Sequence, residues 1–222
     1  MFSRTELLIG DKISQLHNSK VIIFGIGGVG GYATEIIARS GVGNITLVDY
    51  DKVDITNKNR QIIALDSTIG KYKVDVMKDR ILDFYPDCNV HVINDKLTSD
   101  NLKDFNLQDY DYVVDAIDMI ESKVSLIAFA HENNIPIISA MGAGNRLGIP
   151  NVVITDIYKT HDDGLAKVLR KKLRERNISS HNVVFCANNT NIANKTIGSI
   201  AYFPAICGCM LGAHVVEELI KE

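Results

Sequence analysis

Apolar positions along this chain fall into short unbroken runs, separated by stretches in which they recur every three to four residues. Residues 21–24 are four apolar positions in succession, and residues 32–40 then follow a helical pattern. Further apolar runs at 45–49, 90–94, 112–118, 135–139, 151–157 and 182–185 predict strands. Helical spacing is found at 3–17, where Leu7, Leu8, Ile13 and Leu16 share a face, and at 74–84, 121–133 and 164–176, with a short helix at 99–105. Strand and helix alternate almost throughout. That order predicts an α/β fold with a doubly wound, mostly parallel sheet.

Residues 197–213 break the rhythm, being seventeen positions without a charge. That is close to the shortest membrane span. Gly198, Pro204, Gly208 and Gly212 interrupt it, so the pattern predicts a strand at 197–203, a helix starting near Pro204, and packing through small residues inside the protein or at a dimer interface rather than in a membrane.

At 222 residues the chain suits a single domain, divided into a nucleotide-binding core at 1–150 and a substrate-side and dimerisation segment at 151–222. A composition 46% hydrophobic and 23% charged excludes disorder. The net charge of −3 excludes a wholly basic nucleic-acid binder but leaves room for a local patch. Cys88, Cys186, Cys207 and Cys209 form no C-x-x-C pair, so neither a disulfide framework nor a zinc ribbon is written here. With no cationic start followed by an apolar run, the expected location is the cytoplasm.

The candidate chemistry gathers at the ends of the predicted strands. Gly25-x-Gly27-Gly28-x-Gly30 joins the first strand to its helix, a turn whose backbone N–H groups approach a phosphate closely. Asp49 lies 19 positions after Gly30, where a nucleotide fold places the acid for ribose hydroxyls. Asn57, Arg60 and Gln61 follow in a polar loop and Lys73 opens a helix; a guanidinium fork and a point charge are complementary devices for a triphosphate. Asp115 and Asp118 close the 112–118 run. One carboxylate with phosphate oxygens is the usual way magnesium is held, which suits Asp118, whereas Asp115 is open between a ligand role and a turn cap.

Taken in order, the glycine turn, Asp49-x-Asp51, Asn57-x-x-Arg60-Gln61, Lys73 and Asp115-x-x-Asp118 resemble the ATP-binding core of the ubiquitin-activating-like superfamily, whose members adenylate a carboxylate. The resemblance covers about the first two thirds of the chain. It implies a Rossmann-like ATP-binding fold in which Gly25, Gly27, Gly28, Gly30, Asp51, Gln61 and Asp115 belong to the nucleotide site. It further implies that Asp49 binds ribose, that Asn57, Arg60 and Lys73 bind phosphates, and that Asp118 serves magnesium and the adenylation step. Arg4, otherwise a solvated terminal charge, would reach the partner subunit's ATP in a homodimer.

The later part narrows the resemblance. Gly142-Ala143-Gly144, residues 151–157 and Tyr158-Lys159-Thr160-x-x-Asp163-x-Leu165-Ala166-x-x-Leu169-Arg170 are similar to the tRNA threonylcarbamoyladenosine dehydratase family, which implies a tRNA substrate and an ATP-dependent ring closure on a modified adenosine. Helix 164–176 then becomes a candidate tRNA contact, since Lys167, Arg170, Lys171, Lys172, Arg174 and Arg176 crowd it; without a nucleic-acid substrate they read as a solvated face. The alternative is adenylation of the Gly-Gly tail of a ubiquitin-like sulfur carrier, with a cysteine desulfurase or sulfur acceptor as partner. Most such relatives carry two C-x-x-C pairs for zinc, and this chain has neither. Ring closure needs no enzyme nucleophile, so Cys186 is expected to be structural and Cys207 and Cys209 buried thiols. Residues 179–195 depart from the family pattern.

Overall fold

The computed structural model of the protein describes residues 1–188 and 197–221; part of the divergent 179–195 segment therefore lies outside the described residues. Seven strands form one sheet: β1 (Lys20–Phe24), β2 (Asn44–Val48), β3 (Asn89–Ile93), β4 (Tyr112–Asp115), β5 (Ile137–Ala140), β6 (Val152–Asp156) and β7 (Asn182–Cys186), in the spatial order β3-β2-β1-β4-β5-β7-β6. All neighbours are parallel except β6, which runs antiparallel along β7 at the edge.

The unbroken apolar runs follow from burial on both faces. Val21 and Ile23 of β1 face one apolar layer, while Ile22 and Phe24 face the other. The first layer is covered by α3 (Gly30–Ser40), α4 (Lys73–Phe84) and α7 (Tyr202–Leu219), the second by α5 (Ile120–Glu132) and α6 (Gly164–Glu175). Chain order reverses at β1, with β2 on one side and β4 on the other, and so opens a crevice at their carboxyl ends.

Three predicted elements differ in form. The N-terminal helix is split into α1 (Ser3–Ile9) and α2 (Ile13–Asn18) by a 3₁₀ turn at Gly10, whose φ is +58°. Leu7 and Leu8 therefore do not join Ile13 and Leu16 in the core but stand 85% and 87% exposed. The 112–118 run ends as a strand at Asp115, and 116–119 is a loop. No strand forms at 197–203; α7 starts at Tyr202, with Pro204 in its first turn, where a missing N–H leaves no helical bond unmade. The expectation of packing through small residues holds: a Cβ on Gly208 would lie 2.4 Å from the Val29 carbonyl oxygen, and one on Gly212 would lie 2.8 Å from Ile36 Cβ. These two glycines let α7 lie directly on the backbone of α3. Among the described residues no helix is long and apolar enough to cross a membrane.

Candidate active site

The glycine turn is shaped by contact with the neighbouring strand end. Gly25 has φ +88°, and a Cβ there would lie 2.7 Å from the Ala116 carbonyl oxygen. At Gly30 an added Cβ would fall 1.7 Å from the Gly25 carbonyl oxygen, so the turn closes tightly on the first residue of α3. The amino end of an eleven-residue helix thus faces the crevice with its partial positive charge.

Asp49, just past β2, locks this turn from the other side. Its Oδ2 accepts from the Ile26 N–H at 2.6 Å and its Oδ1 from the Asp51 N–H at 2.8 Å. Burial raises its carboxyl pKa, with Lys73 and the two N–H groups opposing. Asp51 anchors the start of α4: its carbonyl accepts the Lys73 N–H at 3.0 Å and its Oδ2 accepts Lys73 Nζ at 2.7 Å. A lysine 22 residues downstream is thereby carried across to Asp49 and the glycine turn.

Between these elements lies a cavity of about 940 Å³, lined among others by Gly25, Gly27, Gly28, Asp49, Asp51, Asn57, Arg60, Gln61, Lys73 and Asp118. The structure thus brings together nearly every residue that the spacing pattern singled out. Arg60 Nη1 donates to the Thr56 carbonyl at 3.0 Å and to Asn59 Oδ1 at 2.9 Å, and Asn57 caps its loop by accepting the Asp54 N–H at 3.1 Å. Gln61 is buried, yet its Oε1 has no hydrogen-bond partner among the described residues. A buried acceptor left unmade costs about 1–3 kcal/mol, and Gln61 lies on the lining of the cavity.

Gly30 closes the turn without lining the cavity, and two further candidates lie elsewhere. Asp115 does not line the cavity; its side chain is fully buried and bonded to Lys123 Nζ at 2.7 Å, so the nucleotide-ligand reading gives way to a turn anchor. Arg4 is exposed on α1 and lines no part of its own chain's cavity. Conversely, Tyr50, Asp95 and Lys96 line the cavity without having been singled out. Asp95 follows β3, and the rule that ligands sit beyond carboxyl strand ends would have found it.

A second part of the lining comes from later in the chain. Gly142, Gly144, Gly164 and Leu165 line the same cavity, held by a buried network that the spacing pattern did not disclose. Asp163 caps α6 by accepting the Ala166 N–H at 2.9 Å and also accepts the Gly142 N–H at 3.0 Å. Arg146, 7% exposed, sits 3.6 Å from Asp163 Oδ2 and donates to the carbonyls of Asp162 and Asn188.

A family model described as the ThiF family matches residues 3–222. The chain belongs to the ThiF family. Among its relatives, the tRNA threonylcarbamoyladenosine dehydratase of Bacillus subtilis is 42% identical across all of this chain and 95% of its own. The molybdopterin-synthase adenylyltransferase of Haemophilus influenzae is 34% identical, over 95% of this chain and 79% of its own. The crystal structure of the Escherichia coli tRNA N6-threonylcarbamoyladenosine dehydratase in complex with ATP superposes with a TM-score of 0.92 at 34% identity, covering 99% of this chain and 93% of that one. The sheet and its helices are thus those of a ThiF-family ATP-binding fold.

Within that fold, and among the described residues, no cysteine lines the cavity. Cys186 and Cys207 are buried, and burial pushes the Cys207 thiol up to about 12. A thiol kept protonated is a poor nucleophile.

Proposed function

We propose that this chain adenylates the threonyl carboxylate of N6-threonylcarbamoyladenosine in tRNA with ATP and thereby drives its cyclic dehydration. The observation that carries the reading is the shared cavity in which the phosphate-binding turn, Arg60 and Lys73 face a second wall built from Gly142, Gly144, Gly164 and Leu165. One wall suits a nucleotide, and the other leaves room for the group it activates.

The chemistry needs positioning and charge neutralisation more than an enzyme nucleophile. In the first step a substrate carboxylate oxygen bonds to the α-phosphorus, and the bond to pyrophosphate breaks. Arg60 and Lys73 offset the charge that builds on the phosphate oxygens, and Asp49 accepts hydrogen bonds from ribose hydroxyls. In the second step the substrate's own carbamoyl group attacks the activated carbonyl carbon. AMP leaves with the carboxylate oxygen, and the carbamoyl proton passes to solvent, so water is lost in sum.

The donor set fits a divalent cation. Tyr50, whose phenol pKa is raised by burial and then by Asp51, Asp118 and Asp49, reports negative charge on this side of the cavity; among the described residues no three acidic, histidine or cysteine side chains form a metal cage, so the cation would rest on one carboxylate and the phosphate oxygens. Asp118, exposed on the cavity rim, would hold magnesium together with phosphate oxygens, and the ion would withdraw charge from the leaving pyrophosphate.

The same reading includes a homodimer. α1 buries none of its residues and presents Leu7 and Leu8 to solvent, so a second copy of the chain is its fitting cover, with Arg4 crossing to the partner's cavity. Mixing inactive Arg4→Ala with inactive Lys73→Ala subunits then rebuilds one intact site per mixed dimer, or about a quarter of wild-type activity at equal mixing. No recovery despite proven subunit exchange removes Arg4 from the site. The unpaired cysteines support a reducing cytoplasm as the location.

The function itself is tested by incubating the protein with ATP, magnesium and tRNA bearing the modified adenosine, then analysing nucleosides by mass spectrometry under mild conditions. ATP-dependent loss of one water is the expected result. No change, with pyrophosphate exchange appearing only when a Gly-Gly-ended carrier protein is added, moves the assignment to sulfur-carrier activation.

A further inference from the structure

We infer that Lys123 is a positioning residue which, through Asp115, holds the 116–119 loop and its Asp118 in place against the glycine turn. The inference rests on the role proposed above for Asp118. Asp115 is the last residue of β4, and its two carboxylate oxygens serve different partners. Oδ1 accepts the Ile117 N–H at 3.1 Å, inside the loop; Oδ2 accepts Lys123 Nζ at 2.7 Å, in the helix to which the loop leads. Lys123 lies in the first turn of α5 and donates its own N–H to the Met119 carbonyl at 3.0 Å. One carboxylate thus grips the loop and the helix that follows it.

The loop is bounded on its other side as well. The Ala116 N–H donates to the Phe24 carbonyl at 2.9 Å, and the Ala116 carbonyl oxygen occupies the space that a Cβ on Gly25 would need. All four loop residues, Ala116 to Met119, line the cavity. The side chains of Asp115 and Lys123 are both 0% exposed. Replacing such a buried pair by apolar side chains is often neutral or favourable to stability, so stability alone gives no reason to keep it. Its use lies in fixing where Asp118 stands, because a displacement of about 1 Å at a reacting centre can cost about 10²-fold in rate.

The test compares the wild type with the double variant Asp115→Leu/Lys123→Met, which removes both buried charges together. The variant is expected to melt within about 4 °C of the wild type and to bind ATP within about threefold by calorimetry. Its kcat with modified tRNA is expected to fall about 100-fold with little change in KM. Amide exchange across 116–119 is expected to speed up at least about tenfold, while β1 and β4 keep their protection. Wild-type kcat with unchanged loop exchange overturns the proposal. Should the variant not fold, the wild type alone still decides: the Ile117 amide is expected to exchange at least about tenfold more slowly than an unprotected amide, and exchange at the unprotected rate overturns the proposal. If the wild type forms no cyclic product the function assignment falls, whereas the exchange and ATP-binding measurements still report whether the pair restrains the loop.

Discussion

The two walls of the cavity are built by different means. On the side of the glycine turn, backbone geometry and carboxylate bonds to main-chain N–H groups do most of the holding: Gly25 and Gly30 close a turn within six residues, and Asp49 bonds the N–H groups of both Ile26 and Asp51. On the side proposed to take the substrate, Gly142 and Gly164 are held in place by Asp163 and Arg146, whose partners lie up to 42 residues away. The contacts of the first wall start from a glycine motif that can be read along the chain; those of the second run between side chains that no motif marks. If that contrast is right, each wall can be broken without the other.

The largest effect is expected on the nucleotide side. Lys73→Ala removes a cation from beside the phosphate turn, and turnover is expected to fall about 10²–10³-fold. The Asp51 side chain left behind is half-exposed, so the melting temperature is expected to stay within about 4 °C of the wild type. Single-turnover kinetics and thermal melting check both halves of this statement, and wild-type activity would remove Lys73 from the site.

Breaking the other wall should show the reverse pattern. Asp163→Ala deletes the α6 cap, frees the Gly142 N–H and leaves Arg146 buried without its carboxylate, at a cost of about 3–5 kcal/mol. Denaturant unfolding measures that cost. ATP affinity is expected to stay within about threefold while turnover of tRNA falls further than stability accounts for. Loss of ATP binding in step with tRNA turnover would show the two walls to be one unit.

The same contrast explains what was legible in the chain. The alternating elements, the parallel sheet and most residues lining the first wall of the cavity were readable because apolar runs, glycine spacing and strand-end acids are local signals. Asp115 was left open because a carboxylate at a strand end looks the same whether it faces a ligand or, as here, a lysine eight residues on. Leu7 and Leu8 misled because helical periodicity reports that a face is apolar, not what covers it. The 197–203 run read as a strand because helix and strand cannot be told apart in a short apolar stretch bounded by glycine. Arg146 carried no signal at all, since its buried partners are brought together only by the fold.

A smaller effect, read by pH, comes from a buried histidine that lines neither wall. His181, next to β7 and 2% exposed, lies 2.8 Å from Ser139 Oγ and 3.2 Å from His131 Nε2, and burial holds its pKa down to about 3. A neutral imidazole can accept from one partner and donate to the other; a protonated one has only donors. Between about pH 6.5 and pH 3 the unfolded chain takes up a proton that the folded protein refuses, so stability falls with falling pH by up to about 1.4 kcal/mol per unit. His181→Gln is expected to flatten that slope by about one proton, read from urea unfolding at several pH values. An unchanged slope would place the proton uptake elsewhere, with His131 next in line.

The smallest effect concerns the outer edge of the substrate side, where α6 leaves the cavity. The five cations of α6 and Arg176, which caps its end, are not equivalent. Arg170 turns back to the Thr160 carbonyl, Lys172 pairs with Glu121 at 2.7 Å, and Arg174 stacks over Tyr158 at 4.9 Å. Lys167 on the helix and Arg176 at its end stay exposed, and the first residues of the same helix line the cavity. An RNA that places one nucleotide in the cavity would run its flanking phosphates along them. Each phosphate that the protein no longer neutralises reduces the slope of log affinity against log salt by about 0.7–0.9, so the Lys167→Gln/Arg176→Gln variant is expected to bind tRNA with a slope shallower by about 1.5. ATP affinity should not change, because neither side chain belongs to the nucleotide wall. A wild-type salt slope would return α6 to a solvated face and leave the tRNA to be held from another surface, with the cavity chemistry untouched.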